Sequence, residues 1–107
     1  MRTSDITEET IIYAASYASP DCDALGTVIG FSPSKVDARV VQESRWAQEY
    51  ASEQCEITDS DGNTRKAEPE DFPMWITYAQ EYRLGDIVRV LDTDWIHDLA
   101  RNGTTHI

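Results

Sequence analysis

From Ser34 to Gln54 the chain runs without a glycine or a proline, and Ser32-Pro33 stands directly in front of that run. Serine is a favoured helix N-cap, and a proline in the first turn gives up an N–H that would have no helical partner anyway. Val36, Val40, Ala47, Tyr50 and Ala51 fall on one face at helical spacing, with Trp46 beside them. The spacing predicts one helix from Ser32 to about Cys55. At about 1.5 Å per residue such a helix is roughly 30 Å long, as wide as a small domain. With 107 residues in all, there is room for one core, so the rest of the chain must pack against this element.

The flanking segments also carry helix signals. Thr7–Ala18 begins with a capping threonine and two glutamates, and Ile11, Ala14, Ala15 and Ala18 form a stripe. Asp23–Ile29 forms a shorter candidate helix, closed by Gly30. Downstream, Pro73 opens a segment in which Trp75, Ile76, Ala79 and Tyr82 recur at helical spacing. Leu84–Leu91 reads as helix or strand, with the helical stripe Leu84, Ile87, Val88 and Leu91 favoured. Thr93–Asn102 closes the series with Trp95, Ile96 and Leu99 inward and Gly103 as a stop. Between these runs, Asp59-Ser60-Asp61-Gly62-Asn63 sits in a polar stretch and signals a turn or small hairpin. The expected architecture is mainly α: a single domain over 1–107, a bundle of about five helices with a polar turn or short hairpin near 56–70, and a loose tail from about 103.

Charge narrows the functional classes. Twenty acidic residues face nine basic ones for a net charge of −11, and only Lys35 and Lys66 are lysines. Acidic side chains are spread along the chain, a composition that keeps a protein hydrated in concentrated salt, where screening removes self-repulsion. It points to a halophilic host and repels nucleic acid and anionic membranes. No run approaches the roughly 20 apolar residues of a membrane span, and the N-terminal residues lack a secretory pattern, so the expected location is intracellular. Cys22 and Cys55, with no further ligand at metal spacing, read as buried reduced thiols.

No nucleophile–base arrangement or phosphate-binding loop is present, and no catalytic residue, cofactor or metal site is assigned. Asp92, Asp94, His97 and Asp98 crowd one helix start, where acids are favourable without a metal. Asp59, Asp61, Asn63 and Glu70 occupy ligand positions of a calcium loop. Thr64, though, stands where the loop's sharp turn needs glycine, and Lys66 where an aliphatic residue belongs, so a plain Asp-Gly turn is the reading adopted. Residues 24–42 have the spacing of a helix-turn-helix unit, with Gly26 at the crossing and Gly30 in the turn. In that alternative, Ser34, Lys35 and Arg39 would contact DNA, against the handicap of Asp37 and Glu43 close by.

Over about Val36–Leu91 the chain also resembles the small helical head–tail adaptor (connector) proteins of tailed viruses. The resemblance lies in the long helix Val36-Asp37-Ala38-Arg39-Val40…Ala47-Gln48-Glu49-Tyr50-Ala51, the polar excursion, and Phe72-Pro73-Met74-Trp75-Ile76-Thr77-Tyr78-Ala79 as a proline-opened second helix. It implies a virion neck component, assembled in the host cytoplasm, that binds portal-like and tail-like proteins and forms a homo-oligomeric ring. Three tryptophans and five tyrosines exceed what one small core needs, and aromatics are favoured interface anchors. Trp46, Tyr50, Trp75, Tyr78, Tyr82 and Trp95 are therefore the candidate interface residues.

Overall fold

The computed structural model describes residues 2–20, 22, 24–88 and 93–107. The chain is a small α/β protein, 41% helical and 32% strand, and this overturns the expected five-helix bundle. Strands β1 (Ile11–Ala18), β2 (Leu25–Gly30), β5 (Trp75–Arg83) and β6 (Thr104–His106) form an antiparallel sheet in the order β5-β1-β2-β6. A separate two-stranded hairpin joins β3 (Glu56–Thr58) to β4 (Thr64–Lys66). Among the described residues three α-helices complete the fold: α1 (Pro33–Gln54), the single turn α2 (Leu84–Ile87) and α3 (Thr93–Asn102).

Helix α1 forms as its sequence predicts, with Ser32 at the N-cap and Pro33 in the first turn. It lies across β1, β2 and β5 and buries Val36 and Val40 completely. Each such side chain contributes about 1.5–3 kcal/mol by leaving water. Tyr50, expected on the same face as Val36 and Val40, is 68% exposed, and the buried stripe continues through Ser44 and Ala51. Ser44 and Ser52 return their hydroxyls to the carbonyls of Val41 and Glu49, so their burial leaves no donor unpaired.

Three segments read as helix are strands. In β1 successive side chains alternate between two faces, both covered along Ile12–Ala15: Ile12 and Ala14 point to one, while Tyr13, Ala15 and Tyr17 point to the other, under α1. A strand buried on both sides shows no polar–apolar alternation, so its alanines mimic a helical stripe. In β2 the glycines make room for neighbours and do not end a helix. A Cβ on Gly26 would come within 2.6 Å of the Tyr17 ring, and one on Gly30 within 2.6 Å of the Gly103 carbonyl oxygen. Strand β5 replaces the helix expected after Pro73, and its pairing with β1 shifts register between Ala14 and Ser16. That shift breaks the period of two and hides the strand from a pattern reading.

The C-terminal residues, expected as a loose tail, form β6 against β2 and bury Thr104 and Thr105. Helix α3 stands where the sequence places it, ends at Gly103 (φ +79°), and packs Ile96 and Leu99 onto Ile6, Ile12, Ile29 and Leu84. The helical reading of Leu84–Leu91 holds for Leu84–Ile87 as α2, and residues 89–92 lie outside the described ones. The Asp-Gly hairpin forms as expected. The Asp59 carboxylate accepts the amides of Asp61 and Asn63 at 2.9 Å, and Gly62 takes φ +82°. At the hairpin's base Arg65 grips Asp71 through two bonds of 2.8 and 2.9 Å, holding that carboxyl at about 2. The molecule is long, 59 × 23 × 22 Å.

Candidate protein-binding surfaces

The face of the sheet turned away from α1 is only half covered. At the Ile12 end it lies under α3 and α2, with Tyr82 directly opposite Ile12. At the other end, pairing places Trp75, Ala18 and Leu25 in one row across three strands, and Thr77, Ser16 and Thr27 in the next. Alternation fixes the side. Tyr17, Gly26 and Ile76, the neighbours of Ala18, Leu25 and Trp75, meet the α1 side of the sheet. Trp75 is 67% and Leu25 77% exposed. Ile107, whose amide donates to the Thr27 carbonyl, extends the second row. Small residues of β1 thus form a shallow valley between larger ones on β5 and β2.

A second aromatic surface lies on the opposite side of the molecule. Trp46 and Tyr50, one turn apart on α1, point away from the sheet and are both mostly exposed. Of the six interface residues expected from the sequence, Trp46, Tyr50, Trp75 and Tyr78 are therefore on the surface. Tyr82 and Trp95 pack instead against the core under α3. The structure adds Leu25, which sequence reasoning assigned to a helix. Its run Leu25-Gly26-Thr27-Val28-Ile29 is rich in β-branched residues, and that was the available signal.

The free edge of β5 is partly closed. The Ala79 amide donates to Asp37 Oδ1 of α1 at 2.7 Å, at the point where the register shifts. Glu81 and Arg83 add charge along the same strand. Bulges and charges on an edge are what keep it from recruiting a further strand.

The residues of the DNA-binding alternative do not sit on a helix-turn-helix unit. Residues 25–30 are strand, so there is no first helix to cross the backbone. Arg39 Nε donates to Glu43 Oε2 at 2.8 Å, and its Nη1 donates to the carbonyl and hydroxyl oxygens of Thr104, both at 3.1 Å. Glu43 also lies 2.5 Å from His106 Nδ1. This cluster locks β6 onto α1, leaving Ser34 and Lys35 as the exposed members of the set. Burial, and secondarily the nearby Glu43 charge, raise the Tyr17 hydroxyl above its usual range.

Two surface hollows, one lined by Arg45, Gln48, Glu49, Pro69 and Glu70 and the other by Glu53, Gln54, Cys55, Glu56 and Lys66, are polar and lie along the C-terminal half of α1. Cys22 packs beside Ala51, Ala67 and Phe72, whereas Cys55, expected buried, is exposed at the end of α1. Of the calcium-loop residues, Asp59, Asp61 and Asn63 sit in the β3–β4 turn between strands while Glu70 lies beyond β4, and Asp59 is occupied by the turn's own amides. Among the described residues no cluster of three or more metal-ligating side chains occurs, and no helix is long and apolar enough to cross a membrane. No protein-family model, curated protein or solved structure matches the chain.

Proposed function

We propose that this chain is a non-catalytic assembly protein that joins two neighbours, one on the outer side of α1 and one on the bare end of the sheet. The carrying observation is that large apolar side chains stand exposed on opposite sides of a two-layer body: Trp46 and Tyr50 on one, Trp75 and Leu25 on the other. Aromatic side chains are favoured anchors of protein interfaces, whereas small-molecule sites are concave. The specific form implied by the sequence resemblance is a virion neck adaptor between portal-like and tail-like proteins. Of the two helices that carried that resemblance, α1 is present and Phe72–Ala79 is not helical. The surfaces, more than the resemblance, therefore support the reading.

The DNA-reading alternative loses support from the same geometry, since Arg39 is engaged by Glu43 and Thr104. The test is cross-linking mass spectrometry on the tagged full chain in its producing cell. Changing Trp46 and Tyr50 to glutamine should remove the associations made by α1 and spare those of the sheet. Changing Leu25 and Trp75 should do the reverse. If neither pair alters any association, the adaptor reading fails.

A further inference from the structure

The rows Trp75–Ala18–Leu25 and Thr77–Ser16–Thr27, which α3 leaves bare, contain no charged side chain. In a chain with a net charge of −11, this is a neutral window. We propose that two copies of the chain pack these windows against each other, back to back, with the α1 helices on the outside. The inference rests on reading the bare sheet end as a docking surface and names what docks there.

Charge decides between the possible occupants. A basic partner drawn by the acidic surface would find no carboxylate in these rows to pair with, and would strand its own cations on apolar surface. The matching surface is another neutral one, and this face is itself such a surface. Shape agrees. Ser16 and Ala18 form a valley between the strands that carry Trp75 and Leu25, so a two-fold arrangement seats the larger side chains of each copy along the small residues of the other. Sheets packed face to face lie about 10 Å apart, a gap that side chains of this size fill.

Edge-to-edge pairing is the competing way to join two copies, and the edges resist it. On β5, the Ala79 amide is taken by Asp37 at the register shift. On the other side β6 has three residues and is held by Arg39 and Glu43 through Thr104 and His106. The bare face is open where the edges are partly closed.

Opposed charges of −11 disfavour this dimer at low salt, and the contact itself contains none of them. Screening over about 10 Å at 0.1 M contracts to about 3 Å at 1 M. Salt therefore removes the long-range repulsion and strengthens the apolar contact, so the dimer tightens as salt rises. A charge-driven complex with a basic partner behaves in the opposite way.

Sedimentation equilibrium of the full chain across about 0.1 to 1 M salt tests the proposal. We expect a monomer–dimer equilibrium whose Kd falls about tenfold or more over that range. Leu25→Gln with Trp75→Gln should raise Kd by at least tenfold at high salt, while Trp46→Gln with Tyr50→Gln leaves it unchanged. Thr77→Glu is a second disruptive variant that removes no apolar contact. It places a carboxylate in the window and should dissociate the dimer while the far-ultraviolet circular dichroism stays that of the parent. A chain that is monomeric at every salt concentration overturns the proposal. So does a dimer that resists Thr77→Glu, or one lost only on changing Trp46 and Tyr50. In the last case the adaptor reading survives with α1 as the self-contact, whereas cross-links to other proteins that vanish with Trp75 would retain the sheet face as a docking site for a different partner.

Discussion

The two ends of the outer sheet face are built from the same strands and have different fates. At one end Ile12, Ile29 and Tyr82 lie beneath Ile96 and Leu99 of α3 and beside Leu84. At the other, a few residues along the same strands, Leu25 and Trp75 meet no covering element. Both ends are strand, so what differs is the cover. Folding draws on the covered end, and the bare end is the surface the proposed docking would use.

That contrast can be broken by measurement. The largest effect belongs to the covered end: Leu99→Ala should cost about 2–5 kcal/mol in chemical denaturation, as expected for a fully buried leucine. Gly26→Ala, which drives a methyl into the Tyr17 ring on the α1 side, should cost about 1–3 kcal/mol and lower the thermal midpoint accordingly. Arg39→Met unlocks β6 from α1 and should cost about 1 kcal/mol. Its signature is faster amide hydrogen exchange at Thr104–His106, with a smaller effect on α3, where Arg39 Nη1 lies 3.6 Å from Asp98 Oδ2. Least of all, Trp75→Ala at the bare end should change stability by no more than about 0.5 kcal/mol. A Trp75→Ala loss comparable to that of Leu99→Ala would mean that the bare end belongs to the core and would erase the distinction.

What could be read from the sequence follows the same division between local and distant causes. Helix α1, the Asp59–Asn63 turn and α3 with its Gly103 stop announce themselves because caps, breakers and periodicity act within a few residues. Strands β1, β2 and β5 do not. Their side chains are sorted by α1 and α3, which are remote in sequence, and Ala14-Ala15 or Gly26 carry little strand preference of their own. For the candidate surfaces, Trp46, Tyr50, Trp75 and Tyr78 were visible as surplus aromatics. Their arrangement was not, because Ala18 meets both Trp75 and Leu25 only once three strands are in register. Tyr82 and Trp95 were indistinguishable from these in sequence, and α3 draws them into the core.

The hairpin of β3 and β4 adds to a body 59 Å long and little more than 20 Å thick. Its radius of gyration of 16.9 Å exceeds the roughly 13 Å of a compact chain of the same length. Such a particle tumbles and diffuses as a heavier sphere would, so a single copy imitates a larger assembly in any separation that ranks molecules by friction. Only methods that weigh the particle, by buoyant mass or scattered light, can count its copies.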